Sequence, residues 1–469
     1  VSLAGLWMVD NQALRSMALG AMTVVAISIL AATTLLPALI AMLGDRVLPG
    51  GVVATILGWA KRPLQGRRAT PGRGSESRSI SDSPGSRESR GRGAIDSAFW
   101  VAWTSRVMAH PWRAVIGVSA ALLFLAIPVL SLDTGTEPLL QFPRQSDVRI
   151  GNELASAQVG GGTDPVQLVA SFDARAGARE RRAATAAFAR RLEATPGVAS
   201  VAPPAFARDA VLLEATPTAP SESDAAIALV ERLRDPIVPS TALARIATVN
   251  VGGETARGDD VRTLISGSMW KIVLFVLALS FLVLMAMLRS LLLPLKAVLM
   301  NLLSIGAAFG VLVAIFQWGW LDSLLGFESQ AALDTINVPL IFAVVFGLSM
   351  DYEVFLMSRI RERYMEHGDN ERAVAEGLST SARTISSAAL IMTCVFAVFV
   401  LTGVPSIKEL GLGCAVAIAL DATLVRLVLV PAAMKLLGDW NWWMPSWLDR
   451  LLPDFSFEAG IHEPDPAKA

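Results

Sequence analysis

Gly347-Leu348-Ser349-Met350-Asp351-Tyr352-Glu353-Val354-Phe355 sets a carboxylate and a phenol side by side inside a long apolar run. An ionised Asp at the middle of a membrane helix costs about 2.5–3.5 kcal/mol on insertion scales, so such a residue calls for a partner or a task. One helical turn from Asp351 lie Gly347, Leu348 and Phe355, and residues three or four apart share a helix face. The carboxylate thus shares its face with a glycine that allows a second helix to come close, and we expect that face to point into a helical bundle. Apolar surroundings favour the neutral carboxyl, which fits Asp351 to bind and release protons where water reaches it. The neighbouring Tyr352, one of two tyrosines in the chain, can donate or accept a relayed proton. The plainer reading is a neutral Asp held by hydrogen bonds between helices. Glu353 falls about 200° around the helix from Asp351, which suggests an interfacial place or a cytoplasmic arginine as partner.

The rest of the chain has the composition that such a helix requires. Of its 469 residues 53% are hydrophobic and 17% charged, a balance that excludes a water-soluble domain. Crossing about 30 Å of hydrocarbon takes about 20 residues. Runs of that kind occur at 17–43, 112–132, 269–288, 292–317, 335–357, 384–403 and 409–437, giving a polytopic α-helical protein of the cell membrane. Loops 61–113, 289–296 and 358–383 are basic, whereas 318–334 lacks Lys and Arg and holds Asp322, Glu328 and Asp334. By the positive-inside rule the basic loops are cytoplasmic and segment 133–267 lies outside. Trp318 and Trp320 then mark the outer interface, and Trp440, Trp442 and Trp443 the inner one.

The same residues exclude several classes of function. The net charge of -1 with basic residues confined to loops gives no nucleic-acid footprint. Cys394 and Cys414 lie in apolar segments, and His110, His367 and His462 are isolated, so no disulfide framework or metal site is implied. Gly160-Gly161-Gly162 lacks the following Lys-Ser/Thr of a phosphate loop and reads as a hinge. No nucleophile–base pair or cofactor loop is present, so no cofactor and no enzyme are expected.

Segment 133–267 alternates strand-like and helix-like stretches. Strands are expected at 166–172, 197–201, 210–215 and 244–251, and helices at 178–194, with Phe188 and Leu192 inward, and at 221–233 behind the capping run Ser221-Glu222-Ser223-Asp224. The order βαββαβ is that of a ferredoxin-like domain. Residues 66–98, rich in Ser, Arg and Gly, cannot bury enough apolar surface to offset ordering and read as a disordered linker. The expected organisation is a tail of a first transmembrane half at 1–45, a cytoplasmic linker at 46–111, a helix at 112–132, an extracytoplasmic domain at 133–267, a five-helix bundle at 268–437 and a cytoplasmic tail at 438–469.

An internal repeat supports a duplicated architecture. Leu35-Leu36-Pro37-Ala38-Leu39-Ile40-Ala41-Met42-Leu43-Gly44-Asp45 aligns without a gap on Leu429-Val430-Pro431-Ala432-Ala433-Met434-Lys435-Leu436-Leu437-Gly438-Asp439. The same offset sets Asp421 and Arg426 against the apolar Ile27 and Ala32. These two charges sit five residues apart, about 140° around an α-helix, and are poorly placed to pair with each other. Each is expected to seek a partner on another span, Asp351 being a candidate for Arg426. Ser349, Ser386, Ser387, Thr393 and Asn301 are read as polar glue between helices.

The runs Gly347 to Tyr364, Gly368 to Gly377, Ser386 to Met392, Asp421-Ala-Thr-Leu-Val-Arg426 and Asn441-Trp-Trp-Met-Pro445 together resemble the C-terminal half of the MMPL family of the RND superfamily. The likeness spans about residues 112–453, with 1–45 resembling the end of the first half. It implies an RND-type half bundle of about seven transmembrane helices carrying a porter domain. The implied activity is export of lipids or other hydrophobic molecules driven by the proton motive force. In the family an Asp-Tyr pair in the fourth span faces one in the tenth, here Asp351 and Tyr352, with Gly347 and Ser349 in the packing face. The fourth span has no counterpart in this chain, so the implied partners are a missing N-terminal half or its equivalent, protons, membrane lipids, a lipid substrate and further envelope proteins. The alternative is a non-transporting membrane module that senses lipid or supports assembly of an envelope complex.

Overall fold

The computed structural model describes residues 2–43, 100, 102–135, 139–142, 145–159, 162–329 and 332–450. The linker from 46 to 99, including 66–98, and most of the glycine run 160–162 lie outside the described residues. By its contacts the chain divides into residues 15–99 and the remainder. The described part of the first unit belongs to helix α1 (Gln12–Leu43), which is apolar on all sides, as a membrane helix is.

In the second unit, residues 102–109 are helical and lead through His110 into α2 (Pro111–Ala126). Strand β1 (Thr134–Gly135) and α3 (Asp147–Val159) follow, then the α/β domain. It comprises β2 (Val166–Phe172), α4 (Ala178–Glu193), β3 (Val198–Val201), β4 (Ala205–Phe206), β5 (Ala210–Pro217), α5 (Asp224–Arg232) and β6 (Ala247–Gly252). The sheet runs β3-β5-β2-β6 with every pair antiparallel. Two crossover helices over that order make the ferredoxin-like arrangement. Strand β4, paired with β5, is an addition that the sequence reading lacks; two residues are too few to show a period. Burial alternates along β2 and β5, and Phe188 and Leu192 of α4 pack into the same core as Leu168, Leu213 and Leu229. The second helix starts later than expected, because Ser223 and not Ser221 caps it by accepting from the Ala226 N–H.

Five long helices complete the unit: α6 (Glu254–Leu288), α7 (Leu292–Leu312), α8 (Asn337–His367), α9 (Asn370–Val398) and α10 (Pro405–Leu420), the last continued by a π-helix at Asp421–Leu429 and by α11 (Val430–Leu437). Strand β7 (Leu333–Asp334), before α8, pairs with β1. Seven helices in all are long and apolar enough to cross a membrane, among the described residues. Helix α6 starts at Glu254, far ahead of the apolar run at 269, because its first turn belongs to the α/β domain, where Ala256 joins the core. Helix α7 is central: it packs against α2, α6, α8 and α10. At the α2 crossing a Cβ on Gly310 would overlap the Leu125 carbonyl, so only glycine permits this approach.

The end of the bundle remote from the α/β domain is closed by residues 438–450, which fold back rather than forming a free tail. The wholly buried Asn441 donates from Nδ2 to the carbonyls of Met434 at 2.8 Å and Gly438 at 2.7 Å, and its own carbonyl accepts from Ser290 Oγ at 2.6 Å. Trp442 donates from Nε1 to Asn370 Oδ1 at 3.1 Å and stacks on Tyr364 with ring centroids 4.4 Å apart. The Asn-Trp-Trp run thereby ties the ends of α7, α8, α9 and α11 together. Residues 451–469 lie outside the described residues.

Candidate functional site: a buried polar seam between two helices

Helices α8 and α10 both lead away from the α/β domain and meet along a seam. Midway down it, Arg426 is wholly buried and Asp421 is 3% exposed. Their side chains pair directly, Arg426 Nε donating to Asp421 Oδ2 at 2.8 Å. This corrects the expectation that they are poorly placed to pair with each other. The 140° separation holds for an α-helix, but residues 421–429 are π-helical, where backbone bonds run from i to i+5 and residues five apart stack one turn above the other. Arg426 also donates to the Ser349 carbonyl and, at 3.3 Å, to Ser349 Oγ. Its guanidinium carbon lies 5.3 Å from the centre of the Tyr352 ring, a cation–π distance. Asp351 is therefore not the partner of Arg426.

Ser349 Oγ is 2.8 Å from Asp421 Oδ2 and 2.8 Å from Asn301 Oδ1, and all three residues are buried. Asn301, on α7, also donates to the Met350 sulfur at 3.2 Å. A hydroxyl has one proton to give, so two acceptors compete for it. Polar glue is an incomplete description of Ser349 and Asn301, because they extend the ion pair across three helices.

Asp351 itself is exposed. The buried stripe of α8 runs through Phe342, Phe346, Ser349, Glu353, Leu356 and Ile360, and Asp351 stands two residues from both Ser349 and Glu353, about 200° away. The expected divergence of Asp351 and Glu353 is present, but the faces are exchanged: Glu353 is 1% exposed and points inward. Gly347 does mark a close approach, made by the 3-10 helix Ser2–Met8; a Cβ there would collide with Ser2 Oγ. Tyr352 is half-buried and donates its hydroxyl to the Met392 sulfur at 2.9 Å.

Lys296 was assigned to a basic loop, yet it lies in the second turn of α7 and is 8% exposed, with no hydrogen bond to Nζ. Glu353, on the neighbouring α8, is buried as well, and its Oε1 likewise has no hydrogen-bond partner. The sequence signal of Lys296 is a single Lys inside the apolar run Leu291 to Leu303, beyond the reach of a snorkelling first-turn residue. A further feature lies at the foot of the α/β domain, where a cleft of about 300 Å3 is lined by Asp133, Glu222, Asp224, Glu254, Asp259 and Arg262. Burial holds the Glu222 carboxyl above the usual carboxylate range.

A bundle of membrane-crossing helices with a ferredoxin-like domain and a buried ion pair on one helix, joined to a second through Ser349, defines a multi-pass protein of the cell membrane with a porter-type domain. The chain belongs to the MMPL family, whose model matches residues 148–456. It is similar to the mycolic acid-containing lipids exporter MmpL11 of Mycolicibacterium smegmatis, 39% identical over 98% of this chain and 45% of that protein. It is also similar to the heme uptake protein MmpL11 of Mycobacterium tuberculosis, 39% identical over 99% of this chain and 45% of that one. The membrane protein YdfJ of Bacillus subtilis is 26% identical over 98% of this chain and 58% of its own length. The chain thus spans about half the length of the curated relatives that it matches. A solved SecDF chain in its super-membrane-facing form aligns with a TM-score of 0.35 at 15% identity, over 73% of this chain and 39% of that one, too slight a likeness to argue from.

Proposed function

We propose that this chain carries the C-terminal portion of an exporter of lipids or other hydrophobic molecules, driven by inward movement of protons, with Asp351 and Tyr352 on the proton path and the porter domain outside. The observation that supports it most is the buried Arg426–Asp421–Ser349–Asn301 network. Four polar side chains in the middle of an apolar bundle are costly unless they do something that packing does not. The network also admits two proton arrangements on the same heavy atoms. With Asp421 ionised, Ser349 gives its hydrogen to Asp421; with Asp421 protonated, Ser349 is released to Asn301 and Asp421 no longer holds Arg426 as an ion pair. Arg426 spans from Asp421 to the Ser349 carbonyl and the Tyr352 ring, so a proton arriving there loosens α8 from the π segment. Relative motion of the two helices is then the step that reshapes the porter domain.

Asp351, on the exposed face beside Tyr352, is the group at which a proton from an opposing helix would arrive. The printed name of the M. smegmatis relative, a lipids exporter, supports a lipid as cargo. The competing reading, a membrane module that senses lipid without moving it, needs no titrating carboxylate. Asp351→Asn preserves shape and removes the proton site. In cells whose export depends on this protein, that variant is expected at wild-type abundance with export reduced by about 100-fold, the scale of a lost proton-transfer group. Undiminished export by an abundant Asp351→Asn protein would favour the module.

A further inference from the structure

The seam has a second polar centre, at the end nearer the α/β domain. Glu409 on α10 is wholly buried, and its Oε1 has no hydrogen-bond partner. Its Oε2 accepts from the backbone N–H of Asp334, at 3.1 Å. The Asp334 carboxylate adjoins it, accepting from Ser406 Oγ at 2.6 Å and from the Ile336 N–H at 2.9 Å. Thr335, 1% exposed, also has a hydroxyl without a partner. The one cation on the same helix, Lys408, points away and donates to the Leu325 and Gly326 carbonyls. The first turn of α8, the ends of α7 and α9 and residues 139–141 present Asn337, Gln317 and Gln141 there, while the segment that receives Lys408 carries Asp322 and Glu328, the latter paired with Arg149 across the adjoining cleft. A carboxylate buried without a cation is costly when ionised, so this arrangement suits a Glu409 that carries a proton.

A cleft of about 610 Å3 lies beside the site, lined by Phe142, Arg149, Asp322, Glu328, Gly403 and Pro405. Pro405 adjoins Ser406, and Ser406 and Asp334 are only half-buried. The Asp334–Ser406 and Ser349–Asp421 contacts each join residues 72 apart, so the two polar centres lie in one helix register. About 18 Å of α10 separates Glu409 from Asp421 at helical rise, and that stretch is closed by Gly413 packed on Leu312 and Ile341.

We propose that Glu409, with Asp334 above it, is the loading site where a proton from the outer solution enters the α8–α10 seam on its way to Asp421. In the step, a hydronium ion in the cleft gives its proton to a Glu409 oxygen, leaving water and a neutral carboxylic acid. The apolar stretch below holds the proton until the helices part. This inference rests on the proton-driven reading above and assigns its outer entrance.

The test is proton flux elicited by an added fluorescent lipid in membrane vesicles from cells producing this protein, recorded as the pH on the porter side is varied. The wild type is expected to show a titration of flux with that pH. Glu409→Gln is expected to lose about 100-fold in flux and to flatten the residual dependence, while Glu409→Asp restores a titration displaced along the pH axis. Asp334→Asn, which removes the neighbouring negative charge, is expected to move the midpoint to lower pH. Equal scaling of the Glu409→Gln rate at every pH, with the wild-type midpoint retained, would show Glu409 to be structural and overturn the inference. No lipid-elicited flux in the wild type would instead overturn the proton-driven reading itself.

Discussion

At the scale of single residues the molecule turns on Arg426. Both it and Asp421 are buried in a medium where removing one partner of an ion pair leaves an uncompensated charge, a loss of about 3–5 kcal/mol, whereas removing both is far milder. Arg426→Gln and Asp421→Asn are each expected to lower thermal stability in detergent by that order, and the double variant to regain most of the loss. Additive losses in that cycle would mean that the two side chains do not act on each other. Asp351, expected in the bundle interior, is exposed, whereas Asp421 and Arg426 were legible as buried charges, because a charge in an apolar run announces itself. Their partners were not legible, since the angle between residues 421 and 426 depends on whether the backbone is α or π, and nothing in Asp-Ala-Thr-Leu-Val-Arg distinguishes the two. Glu353 and Lys296 were hidden for another reason: each stands near the end of an apolar run, where an exposed place is the cheaper assumption.

Among the elements, the helices and the porter-type domain were readable because they obey simple periods. Alternating burial in β2 and β5 and the apolar face of α4 gave the ferredoxin-like order directly. What escaped were features set by contact between elements: the early start of α6, the clasp made by Asn441 and Trp442, and the crossing of α2 and α7. That crossing gives a sharp expectation. Gly310→Ala puts a methyl group into the Leu125 carbonyl, so α2 and α7 must separate at an expected cost of about 1–3 kcal/mol, as for an overpacked core. Gly117→Ala, at a position with nothing within 4 Å, should leave the melting temperature unchanged or raise it slightly. Equal melting of the two variants would contradict the close packing described.

At the scale of the whole molecule, two polar centres lie along one seam of an otherwise apolar bundle, and the α/β domain stands at one end of it. The central claim is that protons moving through that seam drive a hydrophobic cargo outward. The most direct measurement is transport of a fluorescent lipid in membrane vesicles containing this protein, under an imposed proton gradient and again after a protonophore has dissipated it. Transport is expected to follow the gradient and to stop with the protonophore. Transport at the same rate in both conditions would contradict it.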